Sequence, residues 1–321
     1  AILINGFGEG YGDTGDHFAV TDEGEVIYTT VQEGYKEGIK WLHSLVEQDL
    51  VDPEAFTQEW STYVAKGKNH RYGLCFTWDI ANIDNYEDYV MMPALAGPDG
   101  LVNITRQNGS ETSGFDRGRC VLTTSCRDTA LAAAWIDQMY APIQSPQNNW
   151  GTYGEKDADN IFEMSTNAEG EPMLKHLALG DASPVEVRQA QSVNGPLAVL
   201  NDYYDVYVTQ PDDAKWRLDN MHEVYLDDMH SKYVYPNVFM SIDDTNRVSQ
   251  LDTDIKKYAE QKKADWILNG GIDEEWDEYL QKMEDYGLSE YLQIKQKYFD
   301  SYQESLAELE AAGSADAASG N

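Results

Sequence analysis

Lys66 to Gly100 reads KGKNHRYGLCFTWDIANIDNYEDYVMMPALAGPDG. A basic, polar run gives way to an apolar one, Tyr72–Trp78, that ends on an indole followed by Asp79. A short apolar run bounded by polar residues predicts a buried strand. A second run, Tyr89–Pro93, leads into a Gly97-Pro98-Asp99-Gly100 turn. A core strand has no need of Trp-Asp at its end. A binding cleft does, because an indole offers a stacking face and a carboxylate an acceptor.

On the N-terminal side, EGEVIYTTVQEGYKEGIKWLHSLVEQDLVDPEAFTQEW (Glu23–Trp60) predicts a strand and then two helices. Val26 to Thr30 alternates in the manner of a strand, and Ile39, Leu42, Leu45 and Val46 then share one helical face. Asp52-Pro53-Glu54 predicts a fresh helix start, with Asp as N-cap and Pro at the first position. On the C-terminal side, RGRCVLTTSCRDTALAAAWIDQMY predicts a strand over Arg119–Thr124 and a helix opened by a Ser125/Asp128 capping box. Leu131, Trp135, Ile136 and Met139 form its apolar stripe. From Pro142 to about Val193 the chain is polar and aromatic, and predicts irregular segments with short elements.

The last third predicts helices. Ile255, Tyr258, Trp266 and Ile267 share a face that stops at Gly270-Gly271. Asp273 is placed to cap the next helix, with Trp276, Tyr279, Leu280 and Met283 inside and Gly287 just past its end. Ser289 opens another, carrying Tyr291, Leu292, Tyr298, Phe299 and Tyr302. The small, polar end, 309–321, predicts disorder.

Composition removes several classes of function. Lys and Arg total 23 against 57 Asp and Glu, a formal charge of −34, which repels phosphate backbones and excludes nucleic acid as partner. No run approaches the ~18 apolar residues of a membrane span. Cys75, Cys120 and Cys126 form no disulfide framework: an extended segment sets Cys120 and Cys126 roughly 20 Å apart, far beyond the ~5.5 Å of a bridge. They read as small buried residues. GxSxG, HExxH and P-loop motifs are absent, and the six histidines at 17, 43, 70, 176, 222 and 230 make no ligand-spaced pair. Glu155–Glu163, EKDADNIFE, departs from the calcium loop at its fifth and sixth positions. No catalytic residue, metal or cofactor is therefore assigned.

Sugar binding fits the residue types that remain. A sugar presents hydroxyls and an apolar C–H face, so its site needs aromatic platforms beside amide and carboxylate groups. Trp78-Asp79 supplies that mix, as do Asn149, Trp150 and Tyr153 within NNWGTY and Tyr204 after Asn201. Arg188 is the candidate clamp for a carboxylate on an acidic sugar or a peptide. A glycoside hydrolase stays open as an alternative, since carboxylates abound.

The order of these segments resembles the family 1 extracellular solute-binding proteins of ABC importers. Lys66-Gly67, Leu74 and Trp78 occupy one family pattern, Pro93 and Gly97 a second, and Val121–Ser125 with Ala130–Trp135 a third. Cys75-Phe76 stands where Ala-Met is common. GYKEGIKWLHSLVEQDLVDPEAFTQ and DEEWDEYLQKMEDYGLSEYLQIKQKYFDSY resemble the large carbohydrate-binding lipoproteins of Gram-positive bacteria. The likeness runs from Ile4 to about Tyr302.

The resemblance implies an α/β, two-lobed, type II periplasmic-binding-protein-like fold that closes by hinge bending, with a helix-rich C-terminal part. Such proteins begin earlier, so the chain is expected to be N-terminally shortened and its first lobe incomplete. Residues 1–85 are expected in the second lobe, 86–140 in the first and 141–308 in the second again. Trp78 matches the position that stacks on sugar in the maltose-binding type. The implied partners are an oligosaccharide and the permease subunits of the importer. The implied protein is monomeric, extracellular and held to the membrane by an N-terminal lipid.

Overall fold

The computed structural model describes residues 2–8, 11–77, 80, 83, 88–104, 120–154, 160–178, 184–192, 196–229 and 232–319. Two compact units divide the chain: Ala1–Thr57, Pro93–Arg117 and Tyr225–Asn321 form the first, Gln58–Met92 and Gly118–Val224 the second. These units divide the chain at other points than the lobe boundaries expected near 85 and 140. Gly97 accounts for the return at Pro93. It lies so close to Gly6 that a Cβ on it would stand 1.6 Å from the Gly6 carbonyl oxygen. The turn expected at Gly97–Gly100 forms, with Gly100 N–H donating to Gly97 O at 3.0 Å.

In the first unit, β1 (Phe18–Val20) and β2 (Val26–Tyr28) pair antiparallel, Ala19 opposite Ile27. The helix α1 (Glu33–Glu47) follows after one 3₁₀ turn. Ile39 on its predicted face is buried, and Leu42 and Val46 pack against the same core. The helix expected after Asp52 does not form. Asp52 makes the start, its Oδ1 accepting from Glu54 N–H at 3.0 Å, but 53–57 close only turns. Phe56 is exposed, so no apolar face stabilises further turns.

Three long helices complete this unit: α7 (Ile242–Asn269), α8 (Ile272–Asp285) and α9 (Leu288–Ser319). Ser241 caps α7, its hydroxyl accepting from Asp244 N–H at 3.1 Å. The predicted stop holds: Gly270 and Gly271 take φ of 74° and 87°, open to glycine at little cost. Gly271, not Asp273, is the N-cap of α8. Asp273 lies inside the first turn, where it pairs with Lys36 at 3.1 Å and Lys40 at 3.0 Å. Tyr28, Ile255, Trp266, Trp276, Tyr279, Met283, Tyr291 and Phe299 are buried together. The helix α9 runs on through 309–319. That stretch is rich in alanine, the strongest helix former.

The second unit holds α2 (Trp60–Lys68), α3 (Thr129–Met139), α4 (Gln144–Trp150), β3 (Phe162–Thr166), β4 (Pro172–His176), α5 (Pro184–Gln191) and α6 (Asp212–Tyr225). Residues 72–77 form no strand. Tyr63 Oη meets the Phe76 backbone twice, accepting from its N–H at 2.9 Å and donating to its carbonyl at 3.0 Å. A phenol thus takes the place of a neighbouring strand. Residues 120–124 also make no strand, and Val121 and Leu122 are exposed. Asp128, three residues beyond the expected cap, opens α3 by accepting from Leu131 N–H at 2.9 Å. The apolar stripe of α3 is not buried: Leu131 is 68 % exposed and Trp135 58 %. The three cysteines are free thiols, Cys120 exposed and the other two half-buried, against the expectation of burial.

The unit's core is small. Ile161, Phe162, Leu174 and Val208 are buried, with Ile143, Trp150, Val187, Tyr203 and Tyr204 packed around them. β3 and β4 pair antiparallel with Phe162 opposite His176. Asn167 closes their turn, its Oδ1 accepting from Glu169 and Glu171 N–H at 3.1 and 2.9 Å. Among the described residues no helix is long and apolar enough to cross a membrane.

Candidate functional site

Five of the seven predicted site residues meet in the second unit, around its small core. The helix α4 positions two of them. Asn148 anchors it: its side-chain amide donates to Met139 O at 3.0 Å and Pro196 O at 2.8 Å. Gly151 ends it at a φ of 135°. A Cβ there would stand 2.7 Å from Ile161 Cγ1 and 2.8 Å from Gln191 Cβ. The helix end is thereby pressed against β3 and α5.

Asn149 and Trp150 flank that end. Arg188 on α5 grips Asn149 with two donors, Nη2 to Oδ1 at 2.5 Å and Nε to the backbone carbonyl at 3.2 Å. The guanidinium expected to clamp a ligand carboxylate is thus committed in part to an internal amide. Trp150 is half-buried and meets two rings edge to face: His176 at 5.2 Å and 75°, Phe162 at 6.3 Å and 76°.

Tyr153 bridges to Phe162 through its backbone and leaves its side chain 47 % exposed. Tyr204 bridges to Val208 beside the same core. Burial pushes its phenol above the ordinary value, against the opposing charge of Arg217. Trp78 and Asp79, the pair that motivated the site, lie outside the described residues.

The arrangement offers one indole, two phenols, an amide and a guanidinium. It can stack on a ring and hydrogen-bond hydroxyls. Among the described residues no three His, Cys, Asp or Glu side chains are placed to hold a metal. Glu155–Asp159 of the calcium-like run fall outside them, and Asn160 accepts from Thr152 Oγ1 at 2.9 Å. An open groove of about 460 Å³ runs along α2, lined by Ser61, Thr62, Ala65, Lys66, Asn69 and Arg71. None of the five predicted residues that are described lines it.

Sequence reasoning missed His176, whose ring meets Trp150, and Thr209, which hydrogen-bonds His176. They lie 33 residues apart, and neither belongs to a motif.

The fructooligosaccharide ABC transporter substrate-binding protein FusA of Streptococcus pneumoniae is 46 % identical over 295 residues, covering 92 % of this chain and 54 % of FusA. The chain is a homologue of ABC-transporter substrate-binding proteins. It spans about half the length of that curated relative. The structure of S. pneumoniae FusA in complex with kestose superposes with a TM-score of 0.84 at 45 % identity, over 95 % of this chain and 60 % of FusA. A solute-binding protein from Bifidobacterium longum infantis, described as binding human-milk oligosaccharides, matches at 20 % identity with a TM-score of 0.69. It covers 94 % of this chain and 61 % of its own, a likeness of fold alone. No family model matches. These homologues give the chain its class: the two-lobed α/β solute-binding fold, helix-rich and with few strands.

Proposed function

We propose that this chain is the sugar-binding part of an ABC importer's substrate-binding protein, and that its ligand is an oligosaccharide of the fructooligosaccharide class. The identity with FusA over 295 residues carries this reading. Trp150 and Tyr153 supply ring faces, Asn149 and Tyr204 supply hydrogen bonds, and Arg188 holds Asn149 in place. Trp78 and Asp79 belong to the same ligand set. The protein binds without covalent chemistry and passes its ligand to the permease subunits. It works outside the cell as a monomer, held to the membrane by lipid.

Calorimetric titration with kestose tests the reading. Binding is expected, with Trp150→Ala weakening it at least tenfold. At a hundredfold excess over the dissociation constant, kestose should stabilise the fold by ~2.7 kcal/mol. Absence of both heat and stabilisation refutes the reading, and release of reducing sugar makes the protein an enzyme instead.

A further inference from the structure

We propose that His176 is a positioning residue for Trp150, held by Thr209 as the Nε2–H tautomer so that its Nε2 edge faces the surrounding rings and fixes the indole. This rests on the reading of Trp150 as a ligand-binding residue.

His176 ends β4 directly opposite Phe162. Its backbone N–H donates to Thr209 Oγ1 at 2.9 Å, and its Nδ1 lies 3.0 Å from the same oxygen. Thr209 is itself fixed, its N–H donating to Leu174 O at 2.9 Å. A hydroxyl that accepts a backbone N–H still has its own proton to place, and Nδ1 is the acceptor within reach. Nδ1 then accepts, so the neutral ring carries its proton on Nε2.

Nε2 is buried and, among the described residues, has no hydrogen-bond partner. What surrounds the ring is aromatic: Phe162 at 4.6 Å and 62°, Trp150 at 5.2 Å and 75°. Near-perpendicular rings set a positive edge against a negative face, and an N–H edge strengthens that attraction. Burial holds the imidazole down to about 4 and supports the neutral form, although a hydrogen bond to the Thr209 backbone works the other way. The imidazole thus braces the half-buried indole.

Two measurements on the full chain test this. Nitrogen-15 spectra of the unliganded protein read the tautomer. The wild type and Thr209→Ser, which keeps the hydroxyl, should show Nε2–H; Thr209→Val should lose that preference. An Nδ1–H tautomer in the wild type overturns the proposal. Kestose titration reads the consequence. His176→Phe and Thr209→Val should weaken binding three- to tenfold, and Thr209→Ser should restore it. If Trp150→Ala weakens binding while His176→Phe and Thr209→Val match the wild type, the positioning role is refuted and the role of Trp150 stands. If Trp150→Ala itself binds as the wild type does, both fail.

Discussion

Replacing Asp13 with asparagine removes one charge from the middle of the first unit and leaves the shape intact. The carboxylate is 1 % exposed. Its Oδ1 accepts from Thr29 Oγ1 at 2.9 Å and lies 2.7 Å from His17 Nδ1. Its Oδ2 accepts from Lys263 Nζ at 3.2 Å. Burial alone would raise its pKa, but His17 and Lys263 overcome it and bring the group from 3.8 to about 2. A carboxyl held that far down stabilises the folded chain by about 2 kcal/mol at neutral pH. That stability is complete above pH 4 and vanishes as pH falls through about 2. At pH 3 roughly half of it remains. Asp13→Asn should therefore unfold at lower urea by at least about 2 kcal/mol at pH 7, because Lys263 and His17 also lose an anion. Urea titrations followed by tryptophan fluorescence give the difference between the two proteins as pH is lowered. That difference should shrink by about 1 kcal/mol between pH 7 and pH 3. A difference independent of pH, or a variant as stable as the wild type, would refute the electrostatic account.

Gly67→Ala should destabilise by about 1–3 kcal/mol although alanine favours helix, since a Cβ there would stand 1.9 Å from Cγ2 of the fully buried Ile83. A rise in the thermal midpoint would show that Ile83 moves aside freely. Glu275 accepts from Trp266 Nε1 at 2.8 Å and from Lys262 Nζ at 2.7 Å. Glu275→Gln removes the half-exposed ion pair and should cost under about 1 kcal/mol. Glu275→Leu also strands the buried indole N–H and should cost about 1–3 kcal/mol by urea titration; equal costs would contradict the distinction. Kestose carries no charge, so its affinity should change less than twofold between roughly 0.05 and 1 M salt, because screening acts on ion pairs and leaves stacking alone. A tenfold loss in calorimetry would instead implicate an ionic contact.

The helices of the first unit were legible because one signal, an apolar face every three to four residues, coincides with a hard stop. Trp266 and Ile267 before Gly270-Gly271, then Trp276, Tyr279 and Met283 before Gly287, leave little choice of boundary. In the second unit that coincidence is missing. Tyr72–Thr77 and Cys120–Thr124 are apolar enough for strands, yet a strand needs a neighbour to receive its backbone bonds. Nothing local in the sequence reveals that Tyr63 takes that place for Phe76. The stripe on α3 misleads for a related reason: periodicity reports that a face is apolar and does not say what covers it. Leu131 and Trp135 have the pattern without the burial.

The candidate site divides along the same line. Asn149, Trp150 and Tyr153 stood out as local chemistry, an amide and two rings within five residues. Arg188 stood out as a cation in a polar region, but its partner was the opposite of the one expected. It reaches back 39 residues to an asparagine of the same unit. A guanidinium that braces a buried amide does different work from one that clamps an acid. It fixes the direction in which Asn149 can offer its remaining amide N–H, and it lowers the attraction left for a ligand carboxylate. Under the proposed function, that contact leaves Arg188 less free to pair with an acidic ligand. It also makes Arg188→Lys a severe change in spite of the retained charge, because a lysine cannot present two fixed donors to one residue.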